Sequence, residues 1–176
     1  KAYVTHQSDD KISIVDLDTT LAMSDIQTGS SPIKSIISED NLHIYVVNEL
    51  DQTIQKINAA TGEEIMQMQM TGNPYDIKLS NDGTHIYVSN RSLHQVWVGD
   101  VASGEWINKI NVGQSPHELL LDTTSKRLYV SNRQSHNVSV IDTNTMQEIN
   151  KISVGKRPSG LAITAEGDKL YVANTL

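Results

Sequence analysis

Short runs of apolar residues recur along the whole chain, and polar, turn-forming residues separate them. Residues 113 to 155 contain four such runs of five to seven residues: His117–Leu121, Arg127–Asn132, Asn137–Asp142 and Glu148–Val154. The runs are rich in Val, Ile and Tyr, and Gly, Asn, Asp and Ser bound them, as in the turn-like segment 122–125. This pattern predicts four short antiparallel strands. No window keeps a period of 3.6 residues, so we predict no helix.

The same pattern returns every 42 residues. A Tyr-Val pair starts at five positions with this spacing: Tyr3, Tyr45, Tyr87, Tyr129 and Tyr171. An asparagine ends four of these segments at Asn48, Asn90, Asn132 and Asn174, and His6 takes its place in the first. All four prolines keep the spacing, at Pro32, Pro74, Pro116 and Pro158, and a glycine precedes each within three residues, at Gly29, Gly72, Gly113 and Gly155. A fixed period of this length is typical of repeat architectures.

A four-stranded sheet of 42 residues cannot bury both of its faces alone, and radial stacking of such sheets gives a β-propeller. The Gly-x-x-Pro step, the Tyr-Val-x-Asn strand and the Thr61-Gly62 and Ser103-Gly104 turns resemble the YVTN family of β-propeller repeats over the entire chain. Thr19-Thr20 and Thr145-Met146 depart from the last turn of that repeat. The resemblance implies about seven blades, or about 294 residues. It also implies a secreted, surface-layer or periplasmic protein, and similar repeats build cofactor-carrying propellers of respiratory enzymes.

We therefore expect one all-β domain, a partial β-propeller of four-stranded antiparallel blades. With the strands of a blade lettered A to D from the proline, its parts are 1–29 (strands B, C and D), the blades 30–71, 72–113 and 114–155, and 156–176 (strands A and B). The two ends of the chain cannot combine into a single blade. The last segment supplies strands A and B, the first supplies strands B, C and D, and strand B would therefore occur twice. We expect either a longer propeller seen in part or a second chain that completes the ring.

Composition narrows the possible partners. The net charge is −7, which argues against general nucleic-acid binding. No apolar stretch approaches the roughly 18 residues of a membrane span. The chain has no cysteine, so disulfides, Cys-based zinc sites and covalent c-type haem cannot form within it. This composition fits an extracytoplasmic location.

Several repeated polar residues are expected to be structural. The asparagine of each Tyr-Val-x-Asn segment should bond nearby backbone, and Asp16, Asp100 and Asp142 should form Asx-type turns. Met66, Met68 and Met70 alternate along one strand; core packing is expected for Met68 and Met70, whereas a Cu(I) site is the less favoured alternative. We predict no metal site.

The connections between strands B and C and between strands D and A should open on one face, where propellers commonly bind ligands. On this face the early blades carry mainly acidic residues and the late blades mainly basic ones. The candidate residues for a ligand or partner are Arg91, His94, Arg133, His136, Lys156 and Arg157. Arg91 and Arg133 share one repeat offset, and His94 and His136 share another. Arginine suits planar recognition of carboxylate or phosphate, although solvated loop charge is the simpler interpretation.

Three further residues depart from the repeat. Trp97 replaces polar residues on strand C, so it is either an exposed interaction point or a packing residue between blades. His117 and Glu118 follow Pro116 on the innermost strand and are weaker candidates for holding a metal or haem-like cofactor near the axis. A single histidine in one blade does not by itself indicate a metal site, because such a site needs three or four converging ligands.

The sequence favours a non-catalytic recognition or scaffold module that docks a protein partner or an anionic ligand. One alternative is the propeller of a periplasmic redox enzyme with an axial cofactor. A structural surface-layer module is another. We find no catalytic motif, and propeller active sites draw residues from several blades, so the sequence leaves enzymatic activity open.

Overall fold

The computed structural model describes residues 1–122 and 126–175, which form strands, turns and bends, with no helix among them. Positions 123–125 of the predicted turn lie outside the described residues. The chain forms two compact units, Lys1–Pro74 and Tyr75–Leu176. Their boundary falls within one strand, directly after its first residue.

The first unit contains two antiparallel sheets. The three-stranded sheet comprises β1 (Ala2–His6), β2 (Lys11–Val15) and β3 (Ala22–Gln27). The four-stranded sheet comprises β4 (Pro32–Ile37), β5 (His43–Asn48), β6 (Thr53–Asn58) and β7 (Glu64–Gln69). A hydrophobic core that includes Ile12, Ile14, Ile44 and Val46 packs these two sheets together.

The second unit contains two four-stranded sheets and a strand pair. Its first sheet comprises β8 (Pro74–Leu79), β9 (His85–Asn90), β10 (Gln95–Asp100) and β11 (Trp106–Asn111). The next comprises β12 (Pro116–Asp122), β13 (Arg127–Asn132), β14 (Asn137–Asp142) and β15 (Gln147–Ser153), and β16 (Pro158–Ile163) pairs with β17 (Leu170–Asn174). The strands occur in chain order within every sheet. The predicted all-β class and the four-stranded antiparallel unit are therefore confirmed.

Within each four-stranded sheet, the burial of side chains decreases from the second strand to the fourth. The second strands, β9 and β13, bury almost every side chain. The outermost strand β15 is exposed at nearly every position. Tyr87, Leu119 and Leu128 belong to the core between the two large sheets of the second unit. Met68 and Met70 are buried, as predicted for core residues, and Met66 is partly exposed.

Repeated carboxylates and amides hold the turn that precedes the outermost strand of a sheet. Asp100 Oδ1 accepts the backbone N–H groups of Ala102 and Ser103, and Asp142 Oδ1 accepts those of Asn144 and Thr145. Asp16 and Asn58 do the same in the first unit. The predicted Asx-type turns are confirmed. Because these bonds favour the charged carboxylate, they hold the pKa values of the three aspartates below their usual range.

The asparagines that end the second strands differ in part from expectation. Asn90 Oδ1 accepts the backbone N–H of Leu93, as predicted for a turn. Asn132 instead donates its amide to the side chains of Asn137 and Ser139 on the next strand, at 2.8 and 2.7 Å. Asn48 donates in the same way to Thr53 and Gln55. The backbone-only role was therefore too narrow: this asparagine also ties adjacent strands together.

Candidate functional site

Six residues of the second unit line an open cleft of about 520 Å³, here called the cationic cleft. They are Arg91, Ser115, Arg133, Gln134, His136 and Arg157. All of them lie in connections that lead from β9 to β10, from β11 to β12, from β13 to β14 and from β15 to β16. The cleft thus brings together four of the six loop residues that the sequence singled out.

Three guanidinium groups give the cleft its charge. The Arg91 guanidinium carbon lies 4.7 Å from the centroid of the Tyr75 ring, a cation–π contact that restricts the arginine side chain. Arg91 and Arg133 are half-buried, and Arg157 is exposed. Among the described residues, every ion pair lies elsewhere, and no carboxylate neutralises these three arginines. The lining residues that the structure describes include no acid, so the cleft offers guanidinium donors to an anion.

His94 and His136 fix the loops that bear the arginines. The backbone N–H of Ser115 donates to His94 Nδ1, and that of Arg157 donates to His136 Nδ1, each at 3.1 Å. For His136, an accepting Nδ1 requires the tautomer that carries its proton on Nε2. His94 Nδ1 also lies 3.1 Å from the backbone carbonyl oxygen of Arg91, a contact within its own loop. Both histidines have positive φ angles, 58° and 55°, so each loop turns sharply at this residue. The sequence predicted these histidines as ligand-binding residues, and the structure gives them a loop-holding contact; His136 also lines the cleft, and His94 does not.

Glu118 is occupied by a contact between strands. Its Oε2 accepts the backbone N–H of Leu161 on β16 at 3.2 Å. Asp76 sits 42 residues earlier and accepts the N–H of Leu119 on β12 at 2.8 Å. The two carboxylates form what we call the carboxylate staples, which join neighbouring innermost strands. An axial cofactor role was predicted for Glu118, whereas the structure directs its carboxylate to backbone.

His117 stands beside the cleft in a cationic environment. Its ring centroid lies 4.2 Å from that of Tyr75, and the ring makes a hydrogen bond with the backbone of Ser159. Burial lowers the pKa of His117, and the charges of Arg91 and Arg133 lower it further. The ring is therefore neutral at neutral pH. Its Nδ1 is buried and has no hydrogen-bond partner.

The residues present do not fit the suggested axial metal or haem-like group. Among the described residues, no group of three or more His, Asp or Glu side chains converges in a way that could hold a metal ion. His117 turns one nitrogen to backbone and stacks against Tyr75, and Glu118 is committed to Leu161. We derive no chemistry through such a group.

Trp97 packs within its sheet. It is 3 % exposed, and its ring meets that of Trp106 edge-on at 5.3 Å. Lys109 places its ammonium 3.7 Å from the Trp97 ring centroid, and the indole N–H donates to Gln95. Of the two roles left open by the sequence, burial supports packing, and the prediction of an exposed interaction point at Trp97 is wrong. Lys156 is exposed and does not line the cleft.

Sequence reasoning overlooked Tyr75, Ser115 and Gln134 as parts of the site. Tyr75 could have been found from the repeat. Two ring side chains, Tyr75 and His117, occupy an offset that holds non-aromatic residues in the other repeats, namely Ile33 and Ser159. Ser115 and Gln134 had no such signal, because polar residues are ordinary in loops.

Comparison with known proteins places this geometry in a wider context. A family model described as "Lactonase, 7-bladed beta-propeller" matches residues 2–148. No curated protein shows a significant match to the chain. The family match agrees with the propeller class and with the seven blades expected from the sequence.

Solved structures give the same fold. Kuenenia stuttgartiensis hydrazine synthase superposes with a TM-score of 0.87 at 22% identity, over 97% of this chain and 51% of that chain. The β-propeller domain of Myceliophteria thermophila Cps50 (Swd1) gives 0.79 at 11% identity, over 98% and 61%. A functionally unknown protein from Desulfotomaculum acetoxidans gives 0.65 at 13%, over 98% and 72%. The chain thus spans about half the length of the hydrazine synthase chain.

At these identities the likeness establishes the fold alone. None of the described residues belongs to a helix that is long and apolar enough to cross a membrane. Any function must therefore be argued from the cleft itself.

Proposed function

Because this chain belongs to the lactonase family of seven-bladed β-propellers, we propose that it forms part of a propeller that recognises an anionic ligand or partner on its loop face. The cationic cleft is the recognition site. Arg91 and Arg133 supply the principal contacts, and Arg157 adds a third positive charge at the exposed side.

One observation carries this proposal: three guanidinium groups line one cleft of a chain whose net charge is −7, and none of them forms an ion pair with a carboxylate of residues 1–122 or 126–175. In an acidic protein such a cluster would usually pair with nearby acids. A guanidinium offers two parallel N–H donors that match a carboxylate or phosphate. The cleft is thus suited to an anion with at least two acceptor oxygens.

The surroundings hold this site in place before a ligand arrives. Tyr75 lies against Arg91, and the Nδ1 contacts of His94 and His136 fix the loops next to Ser115 and Arg157. Groups that are ordered in advance lose less conformational entropy on binding. This favours recognition over ordinary solvated loop charge.

Binding of citrate and sulfate to the purified chain tests the proposal. We expect the double variant Arg91→Ala with Arg133→Ala to lose at least tenfold in affinity, since each charge-assisted hydrogen bond contributes about 1.5–3 kcal/mol. Isothermal titration calorimetry measures the affinity, and circular dichroism checks that the variant folds.

Lys156→Ala is the matched control, because it removes one positive charge from the same face without altering the cleft lining. Its affinity should change little. A loss of binding free energy in Lys156→Ala that is half or more of the loss in the double variant, which removes two charges, would indicate a diffuse charge effect and reject the cleft as the site.

A second candidate is hydrolysis of a cyclic ester, which the family match over residues 2–148 favours. Guanidinium groups could stabilise the negative charge that develops on a lactone carbonyl oxygen. A panel of lactones followed by acid release in a pH-stat tests it. Anion binding without hydrolysis of any lactone would leave the recognition proposal in place and remove this one.

The wider setting is also a proposal. The resemblance to YVTN repeats supports a periplasmic, cell-surface or secreted location. A further segment of the protein or a second chain would supply the remaining blades of the ring. Size-exclusion chromatography with light scattering, together with the intact mass of the native protein, distinguishes these two arrangements.

A further inference from the structure

His117 is linked to the cationic cleft through an aromatic contact. It lies near the start of β12, and its ring lies 4.2 Å from the Tyr75 ring at an interplanar angle of 40°. Tyr75 also contacts the Arg91 guanidinium, at 4.7 Å. One aromatic ring therefore separates an imidazole from a cation of the anion site.

Burial of the His117 ring, including its Nδ1, favours the neutral form. The Nδ1 of His117 is buried without a hydrogen-bond partner, whereas a hydrogen bond with the Ser159 backbone favours the protonated ring. A protonated ring would carry an N–H donor on both nitrogens. A donor at the buried Nδ1 would lack an acceptor, which costs free energy.

The charges around the ring act in both directions. Arg91 and Arg133 oppose a positive charge on His117, whereas Asp76 favours it. The charged and titratable groups on the neighbouring elements are Tyr75, Asp76 and Lys78 on β8, Arg91 after β9, Arg133 after β13, Arg157 before β16, and Glu118 on its own strand. The Glu118 carboxylate is turned to the Leu161 N–H, and the Asp76 carboxylate to that of Leu119. The arginines are thus the charges that a ligand in the cleft would offset.

We propose that His117 takes up a proton when an anion binds between Arg91 and Arg133, so that the cleft binds anions more tightly at acidic pH. The anion cancels the repulsion that the two guanidinium groups exert on an imidazolium. By linkage, protonation of the imidazole must raise the affinity for the anion by the same factor. This inference rests on the proposed function of the cleft and adds its regulation.

The direction with pH follows from the two states of the site. Without ligand, the pKa of His117 lies below its ordinary value of 6.5, and a bound anion raises it. Affinity is then highest below the ligand-free pKa, falls as pH rises through the interval between the two pKa values, and is constant above the ligand-bound pKa. Each unit between the two values corresponds to about tenfold in affinity.

Calorimetry with sulfate tests the inference, because the charge of sulfate does not change over this range. Titrations near pH 6.5 in buffers with different enthalpies of ionisation count the protons taken up on binding. We expect net uptake by the unmodified chain and none by His117→Gln. If His117→Gln fails to fold, NMR titration of the His117 ring with and without sulfate measures the same shift directly.

His136→Gln is the control, since His136 is the histidine that lines the cleft itself. Gln52 occupies the equivalent position in the first unit, where its side chain makes a corresponding loop contact. Proton uptake that persists in His117→Gln but disappears in His136→Gln would overturn the assignment to His117. Sulfate binding without proton uptake rejects this inference alone, whereas no sulfate binding at any pH rejects the proposed function as well.

Discussion

Gly113 shows how one residue type is required by its neighbour. A Cβ atom at this position would lie 2.6 Å from Asn132 Cγ and 2.7 Å from Asn132 Nδ2. Gly155 meets Asn174 and Gly29 meets Asn48 in the same manner. The repeated glycine and the repeated asparagine therefore form one structural unit, although 19 residues separate them in the sequence. Close approach, and not a positive φ angle, excludes a side chain at Gly113.

We predict that Gly113→Ala destabilises the chain by about 1–3 kcal/mol, as overpacking of a tight contact does. Urea unfolding measures the free energy. Gln114→Ala, at the adjacent exposed position, should have little effect.

A double-variant cycle identifies the cause. Because Asn132→Gly removes the atoms that the new Cβ would meet, its combination with Gly113→Ala should cost less than the sum of the two single changes. Strict additivity would show that the clash with Asn132 is not responsible.

The carboxylate staples act at the level of strands. Asp76 is 2 % exposed, and its Oδ2 accepts the N–H of Leu119, which is fully buried. Glu118 repeats this contact to Leu161 one sheet later. Innermost strands of neighbouring sheets do not pair with each other, so a side chain satisfies the backbone donor. Lys34 and Gly160 stand at the same offset without a carboxylate, so the staple is not general to the repeat.

Asp76→Ala should lower the free energy of unfolding by about 1–3 kcal/mol, because a buried N–H loses its acceptor. Amide hydrogen exchange at Leu119 should accelerate in parallel. Asp76→Asn keeps a carbonyl acceptor for this N–H, so its free energy of unfolding should fall less than that of Asp76→Ala.

Lys78→Ala separates this bond from the ion pair at the same carboxylate. The Lys78 ammonium lies 3.8 Å from Asp76 Oδ2 and is partly exposed. Removing this ion pair should lower the free energy of unfolding by no more than about 1 kcal/mol. If Lys78→Ala matched Asp76→Ala in cost, the ion pair and not the staple would account for the stabilisation.

The sequence was a reliable guide to elements and a weaker guide to side chains. The predicted runs Arg127–Asn132 and Asn137–Asp142 coincide with β13 and β14, because alternation and turn residues are local signals. Equal repeat offsets also brought Arg91 and Arg133 to one cleft. The offsets could not reveal that His94 Nδ1 would accept a backbone N–H 21 residues away, since that depends on how two loops meet. The burial of Trp97 was likewise hidden, because a covering residue such as Trp106 is not visible in a single strand.

At the scale of the whole molecule, aspartates in turns and strands make the stability of the folded protein depend on pH. Hydrogen bonds from the Ser80 and Thr84 side chains and from the Thr84 backbone lower the pKa of Asp82 from 3.8 to about 2. Other aspartates, namely Asp16, Asp25, Asp40, Asp100 and Asp142, also have lowered pKa values. A carboxylate with a lower pKa in the folded state stabilises it above the unfolded-state pKa, and this stabilisation is lost as pH falls through the folded-state value.

We therefore predict that the contribution of these aspartates to stability is retained from neutral pH down to the unfolded-state pKa near 3.8 and declines as pH falls from there toward about 2, whereas the lowered pKa of His117 begins to cost stability as pH falls below 6.5. Urea midpoints measured across this range test the prediction. Asp82→Asn should be less stable than the unmodified chain at neutral pH and should show a smaller decline in acid. Glu166→Gln, at an exposed position, serves as the control and should leave both values unchanged. An unmodified chain whose urea midpoint rises on acidification would contradict the expected direction.

The position occupied by His94 and His136 has a consequence for how the protein can diversify. Asp10 and Gln52 stand at the same offset in earlier repeats. Asp10 Oδ1 accepts the backbone N–H of Ser31, and Gln52 Oε1 accepts that of Gly72. Carboxylate, amide and imidazole thus perform one architectural task, and all four residues keep φ between 51° and 58°. Any side chain that places a hydrogen-bond acceptor near this backbone N–H can hold the loop. The residue type at this position can therefore change while the backbone conformation of the loop stays the same. At the rim of the cleft, a single codon change such as His136→Asp would reverse the local charge while leaving the loop intact, so a propeller of this kind can exchange one ligand class for another without passing through an unfolded ancestor.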